Sequence, residues 1–523
     1  MLSTRFGYRY LLVLPLVSLL TATGVVAAGI QLTVDDSSWS AQGSASGQKF
    51  GQFLNSAGDV NGDDYEDFII SSQFANSNAG RAWLFYGGPM GPSATPDVTF
   101  TPPGDVTTGH FFGMHARSAG DVNNDGYDDI MIGCTGCDAP GGASDEGMVY
   151  VYHGADGGID TTYDWRARGV LLFSHLGWAG APAGDVNGDD YDDILVGAYR
   201  YDGGSVHHAY LFFGSSTGLN DEGARAEGTP SNCDWSASGE QALDGFGLIV
   251  GSAGDLDNDG YDDIFVGATG WDNGGQTDVG KVWVWYGSNS GPTSPGSPAT
   301  ADWSAEGTVT NDRFGGAGGD HDSGTAGVGD VNNDGYDDLL IGCYACDVGA
   351  TNNGSVSLWY GSDTGLTDGP PNWAAAGLHE GDILGFAVRS AGDFNQDGYD
   401  DFLISQPGWD NVWDPNNHSN EGRVGLWLGS KIGPLAQPLA IYADCLISGD
   451  QELGNLGYAL AGATDVDNDG FDELLIASEY YDTDGDADPN DNQGKVFLFP
   501  GHSLVSADDF ESKDLLRWAL TIQ

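Results

Sequence analysis

Seven stretches of the chain place carboxylate and amide oxygens on alternate residues, the donor set that a hard divalent cation gathers around itself. In the first, Asp59, Asn61, Asp63 and Asp67 stand at positions 1, 3, 5 and 9, and Tyr65 at position 7 can add its main-chain carbonyl. The set recurs as Asp121, Asn123, Asp125, Tyr127 and Asp129, and again as Asp185, Asn187, Asp189, Tyr191 and Asp193. It continues with Asp255, Asp257, Asp259, Tyr261 and Asp263, then Asp330, Asn332, Asp334, Tyr336 and Asp338. Asp393, Asn395, Asp397, Tyr399 and Asp401 form the sixth, and Asp465, Asp467, Asp469, Phe471 and Glu473 the seventh. Ca2+ takes six to eight oxygens at about 2.3–2.6 Å, so each loop can nearly fill one coordination sphere. The expected load is therefore about seven Ca2+ per chain, one for each of the seven loops. Position 6 needs a positive φ, which fits Gly126, Gly260, Gly335, Gly398 and Gly470; Asp64 and Asp190 stand there in the other two loops.

One such loop alone would read as a hydrated turn. Seven copies, with an oxygen at every ligand position, argue for coordination. An EF-hand is excluded, because it needs a bidentate Glu at position 12 and flanking helices. Position 12 is instead Ile70, Ile132, Val196, Val266, Ile341, Ile404 or Ile476, each inside an apolar strand-like run. The chain carries a formal charge of −60, and the seven loops hold 32 of its 77 acidic residues. Such a surface repels phosphate backbones, so no nucleic-acid partner is expected. Catalysis is not expected either. Gly214–Gly218 matches Gly-x-Ser-x-Gly, but GSNSG and GSDTG fill the same place in other repeats, which marks a turn. His379-Glu380 lacks the second histidine of a zinc protease motif.

The loops sit in a longer repeat. The leading aspartates are spaced 62, 64, 70, 75, 63 and 72 residues apart. Phe50, Phe112, Leu176, Phe246, Leu384 and Leu456, each followed by Gly, lie nine residues before them; Phe314 lies sixteen before, because an insertion around His321 intervenes. Downstream comes an alternating run such as GKVWVWYG, and then a DWSAxG-like element headed by Trp39, Trp165, Trp235, Trp303 or Trp373, with Phe100 and Cys445 read as the equivalents in two copies. Four short strands per repeat make an all-β chain, a seven-bladed β-propeller of four-stranded blades with the acidic loop between strands 1 and 2. The last repeat lacks its fourth strand, yet SSWSAQG precedes the first, so residues 37–43 are expected to complete the seventh blade and close the ring.

The Phe-Gly pair, the Gly-Asp strand end and the nine-residue acidic loop resemble the FG-GAP repeat of integrin α propellers, over residues 37–503. The resemblance implies a seven-bladed ring with Ca2+ between the first two strands of a blade. Two departures stand out: every blade carries the metal motif, and no leg domains follow, so integrin-style signalling is not implied.

Loops joining strands 2 and 3 emerge on the face opposite the acidic loops, where a rigid scaffold would present a binding surface. They hold Trp271, Trp409, Trp413, Tyr199, Tyr201, Tyr480 and Tyr481, aromatics suited to a protein or a sugar ring, unless they pack within their own loops. Cys134/Cys137 and Cys343/Cys346 occupy the same place in blades 2 and 5 and are expected as local disulfides, with Cys233 and Cys445 unpaired. The run from Asp482 to Asp488 is read as a hydrated acidic loop rather than an eighth site.

Residues 1–28 have the layout of a secretory signal peptide, with Arg5, Arg9, an apolar run and Val26-Ala27-Ala28. Residues 29–36 are read as a linker, and 504–523 as a short tail similar to the Phe-Glu-Ser endings of exported bacterial proteins. No later segment is apolar enough to span a membrane. The expected function is a secreted or cell-surface, bacterial calcium-binding module for adhesion or protein interaction, with an extracellular protein or glycan as partner. A lectin is the alternative. A Ca2+-dependent polysaccharide lyase ranks third, because Arg200, Lys281, Arg423 and Lys495 are the main basic residues in the loops that could abstract a proton.

Overall fold

The computed structural model describes residues 30–45, 47–104, 111–199, 206–219, 227–316, 324–410, 419–434, 443–482 and 493–501. The proposed signal peptide, the tail, Trp413, Arg200, Tyr201 and most of the run from Asp482 to Asp488 lie outside the described residues.

Seven sheets follow one another along the chain, each with four antiparallel strands. Blade 2 shows the pattern: an inner strand Phe112–Gly120, then Asp129–Cys134, Met148–Tyr152 and the outer Trp165–Arg168. The second strands have no polar face because neighbouring blades cover both sides. Every residue of Asp129–Cys134, and likewise of Asp193–Ala198, is buried. Outer strands alternate instead, as in Trp235–Ser238, where Trp235 and Ala237 point inward. Each core cluster draws side chains from two adjacent blades, such as Leu195, Leu211 and Trp235 of blade 3 with Val266 and Trp285 of blade 4. The ring is thus a circle of seven inter-blade cores. Among the described residues no helix is long and apolar enough to cross a membrane.

The ring closes as the repeat order requires. Trp39–Gln42 pairs antiparallel with Lys495–Phe499, Trp39 opposite Leu498 and Gln42 opposite Lys495. Within the stretch read as a linker, Ile30–Thr33 forms a further strand, parallel to Cys445–Ser448 at the outer edge of blade 6. Glu227–Gly228 does the same for blade 2 beside Trp165–Arg168.

One sequence equivalence needs correction. In blade 4 Trp303 pairs with Val284, and the matching partner of Leu84 in blade 1 is Val98. Phe100 lies opposite Ala82, two places further on, and packs its ring against Tyr152 of blade 2 at 4.8 Å. Cys445 does take the tryptophan position, opposite Leu426. A motif aligned by aromatic character alone misplaced the strand, because pairing register is set by the pleat.

Candidate metal centres

Six of the seven acidic loops follow a break in strand register, seen for example between Ser56 and Gly58, Ser118 and Gly120, and Ser252 and Gly254. The glycine at the break is left-handed, with φ of 75° at Gly120, so the chain turns sharply into the loop. Inside the loop the position-1 carboxylate organises the backbone. Asp59 Oδ1 accepts from the N–H groups of Gly62 at 2.7 Å and Asp63 at 3.1 Å, and Oδ2 from Asp64 at 2.9 Å. Asp121, Asp185, Asp255, Asp330, Asp393 and Asp465 accept in the same way from their own loops.

Two positions per loop take a positive φ. Position 6 does, as its glycines suggested, and Asp64 and Asp190 adopt it too, at 69° and 71°. Position 4 does as well, which the sequence reading overlooked: Asn124, Asn258, Asn333 and Asn468 lie at 52–53°, Gln396 at 56°, and Gly62 and Gly188 at 73°. The signal was present in the recurring Asn or Gly, the residues that tolerate this region best.

The position-9 carboxylate is fully buried in most loops. Asp67 accepts from Val60 N–H at 3.1 Å and from Gly87 N–H, beyond the third strand, at 2.8 Å. Burial, opposed by those two bonds and reinforced by Asp63 and Asp59, pushes Asp67 up to about 8. Burial does the same to Asp193, up to about 9, and to Asp263, Asp338 and Glu473, each up to about 8. Asp129 and Asp401 are raised well above the ordinary carboxylate range for the same reason. Holding such groups ionised requires nearby positive charge.

The position-3 oxygens fit a cation directly. Oδ1 of Asn123, Asp257 and Asn332 is buried without a hydrogen-bond donor. A neutral turn would leave these oxygens at a desolvation cost of about 1–3 kcal/mol each. Carboxylate oxygens of Asp255, Asp257 and Asp259 lie within 4.8 Å of one another, as do those of Asp465, Asp467 and Glu473. Positions 1, 3 and 5 of the fourth loop and positions 1, 3 and 9 of the seventh therefore converge as ligands to one ion would.

A further set escaped the sequence reading. The position-8 residue reaches back to the preceding blade: Asp128 Oδ2 accepts from Asp59 N–H at 2.9 Å, and Asp192, Asp262, Asp337 and Asp400 repeat the contact on Asp121, Asp185, Asp255 and Asp330. Five successive junctions are thus tied loop to loop, and there the residue before position 1 must leave room for the carboxylate. A Cβ on Gly120 would overlap the Asp192 carboxylate, at a φ that L-residues resist. Gly120→Ala is expected to destabilise the protein by about 2–4 kcal/mol, read as a lower denaturant midpoint. Gly126→Ala has a positive φ but open space around it, so it should cost about 1 kcal/mol and separates the strain from the clash.

The opposite face holds the other candidates. Trp271 is 9% exposed, with Lys281 Nζ 4.5 Å above its ring and Trp283 edge-on at 6.3 Å. It packs against the third strand of its own blade and offers no free platform. Trp409 is partly exposed and stacks under the Arg423 guanidinium at 4.7 Å. Lys495 sits over Tyr481 and Phe497 at 4.8 and 4.6 Å, and Lys281 pairs with Glu306 at 3.3 Å. Arg423 is bound to Gln406 Oε1 and burial pushes it down to about 10, still protonated at neutral pH. The described cations among the candidate bases are therefore engaged with rings and acceptors. Cys134 and Cys137 have Cα atoms 5.5 Å apart, and Cys343 and Cys346 5.4 Å apart, two close pairs at a separation that a disulfide spans. Cys233 and Cys445 are free thiols in different blades.

Comparison with known proteins bears on this geometry. The FG-GAP repeat family model matches residues 54–85, 176–209, 246–285, 388–427 and 456–499. Phosphatidylinositol-glycan-specific phospholipase D of Rattus norvegicus is 31% identical over 222 residues, 42% of this chain and 25% of that protein. Integrin alpha-5 of Xenopus laevis and integrin alpha-V of Gallus gallus are each 28% identical over 45% of this chain and 20% of their own length. The chain thus spans a quarter or less of the length of these relatives. Among solved structures, the crystal structure of BBS1N in complex with ARL6DN aligns with 89% of this chain at a TM-score of 0.44 and 9% identity. The matched repeats fall on blades 1, 3, 4, 6 and 7 and carry the loops described above, so the chain is an FG-GAP-repeat β-propeller similar to those of integrin α chains.

Proposed function

We propose that the chain is a secreted calcium-binding propeller that serves outside the cell as an adhesion or protein-interaction module. The observation that carries the calcium reading is the buried position-3 oxygens of Asn123, Asp257 and Asn332 without donors, joined in the fourth loop by Asp255 and Asp259 oxygens within 4.8 Å. On this reading Ca2+ is held by the residues at positions 1, 3, 5 and 9 of each loop, with the position-7 carbonyl as a further ligand, and about seven ions clamp the blades. Export rests on the N-terminal segment, which has the layout of a signal peptide, and agrees with two cysteine pairs suited to an oxidising space. The adhesion role rests on the likeness to integrin α chains, and the match to the phospholipase spans 25% of that protein, so its activity is not carried over here.

The partner on this reading meets the face opposite the calcium loops. A glycan is the second reading, favoured by one feature: Trp178 and Tyr199, both partly exposed, lie 5.0 Å apart beside His175. Surface-immobilised protein should bind extracellular-matrix proteins in calcium and lose at least tenfold in affinity in EGTA. Binding on a glycan array with no protein ligand would favour the lectin. Metal analysis finding one ion or none per chain would overturn the calcium reading itself.

A further inference from the structure

A buried positive charge lacks its counter-charge at one end of blade 6. Arg423, the first residue of the strand Arg423–Trp427, is 5% exposed, a depth at which a cation is normally paired with a carboxylate. The corresponding cation of blade 4, Lys281, has such a partner: Glu306 stands directly opposite it on the fourth strand and meets its Nζ at 3.3 Å. In blade 6 the residue opposite is Ser448. No carboxylate of the described residues comes within ion-pair distance of Arg423. Asp382 acts on it only from further off, and Asp382 Oδ2 already accepts from the N–H groups of Leu378 and His379, each at 2.8 Å.

The acceptor that Arg423 does have is Gln406 Oε1, which takes its Nε–H at 2.9 Å and an Nη2–H as well. A guanidinium only donates, so the Gln406 amide cannot be turned about to face it with the NH2 group. Gln406 Nε2 is therefore left buried without an acceptor, on a side chain 2% exposed. Of the five guanidinium N–H bonds two are spent on Gln406 and three remain. Donors of two neighbouring side chains thus meet without an acceptor, beside the partly exposed ring of Trp409, 4.7 Å from the guanidinium. Apolar residues would fill this space at a smaller cost to the fold. The hairpin end that joins Asp401–Gln406 to Arg423–Trp427 lies on the face opposite the acidic loops.

We propose that this end of blade 6 receives the carboxylate of an acidic side chain from the protein partner, held by the Arg423 guanidinium and the Gln406 NH2 group. An ionised carboxylate only accepts, and its two oxygens match a guanidinium edge and an amide NH2 together. The depth of Arg423 selects the source. An Asp or Glu carboxylate stands ahead of its backbone on a slim methylene arm, which can reach a group so little open to solvent. The carboxylate of a uronic acid is fixed directly to the sugar ring, and the ring would have to enter with it. The inference rests on the protein-interaction reading for its partner and on blade 6 alone for its site.

The test titrates the full chain, calcium present, into N-acetyl-aspartate-N-methylamide and follows the broadening of the ligand's acetyl resonance by NMR. The parent should bind with a Kd on the order of 1 mM, and the asparagine analogue should not bind. Arg423→Lys keeps the charge and loses the fork, so it should bind at least tenfold more weakly. Gln406→Glu supplies the missing carboxylate from within, so it should melt higher than the parent and lose the aspartate probe. Equal binding of the two analogues, no binding by the parent, or unchanged binding by both variants would overturn the proposal. A lower melting temperature for Gln406→Glu would overturn it too, because the cation then needs no anion. So would competition by galacturonate from a parent that ignores the aspartate probe, which would make the source a sugar. Aspartate binding by a chain that captures no matrix protein would support this site and count against the adhesion reading alone.

Discussion

Chelation at pH 8 is expected to lower the melting temperature by roughly 20 °C. A site with free calcium a hundredfold above its Kd stabilises the fold by about 2.7 kcal/mol, so seven such sites contribute on the order of 19 kcal/mol. The unfolding entropy of a chain this long corresponds to roughly 1 kcal/mol per kelvin, which converts that sum into the expected shift. Calorimetry with and without EDTA measures it, and metal analysis should return about seven Ca2+ per chain. A shift below roughly 5 °C would mean that the loops hold their shape through the Asp59-type backbone bonds alone.

The pH dependence gives an independent sign. In an unfolded chain these carboxyls lose their protons near the ordinary value of about 4. In the ion-free fold burial keeps protons on Asp67, Asp263, Asp338 and Glu473 up to about 8, and on Asp193 up to about 9. Between those limits the folded ion-free form binds more protons than the unfolded one, so its stability must fall as pH rises. Calcium removes the slope, because binding expels the same protons, and above about pH 5 neither the loaded fold nor the unfolded chain then holds them. The EDTA-treated protein should therefore melt lower at pH 9 than at pH 5, and the calcium-loaded protein should melt at nearly the same temperature at both. Parallel slopes for the two forms would exclude coordination by the buried position-9 carboxylates.

What could be read from the sequence was whatever a repeat displays seven times. Ligand positions 1, 3, 5 and 9 recur in every copy, and their spacing fixes a loop whatever surrounds it. The closing strand was legible too, since a fourth strand missing at one end and present at the other admits one arrangement. Contacts between repeats were less visible. Asp128 is one of several acids in its loop, and nothing local shows that it serves the Asp59 N–H of the preceding blade rather than its own ion. The Val98 register was hidden because Phe100 looks like the aromatic of the motif, while the ladder counts residues and not ring character. Trp271 was sought at the surface, yet Lys281 and Trp283 cover it, a contact made across strands that no linear spacing displays.

Removal of residues 29–43 is expected to abolish the cooperative transition. Without Trp39–Gln42, the edge of Lys495–Phe499 loses its ladder partner and presents unpaired N–H and C=O groups to other chains. The loss reaches blade 1 as well. Trp39 meets Phe68 and Phe85 edge-on at 5.4 and 5.3 Å, and its Nε1–H donates to Ser93 O at 3.0 Å, so the strand that completes blade 7 also covers the start of the ring. The same deletion strips Ile30–Thr33 from blade 6, together with Val34, buried in the core that includes Phe386 and Leu456. The N-terminal segment therefore clamps two adjacent blades at once, and sheets stabilised by their neighbours cannot lose one junction without opening the next. The truncated chain should sediment as oligomers and melt broadly. Trp39→Ala removes the ring contacts and keeps the strand, so it should remain monomeric and lose about 3 kcal/mol by denaturant titration. If the truncated chain stays monomeric and melts in one transition at the parent temperature, blade 7 is complete without the latch, and the ring is held by inter-blade cores and calcium loops alone.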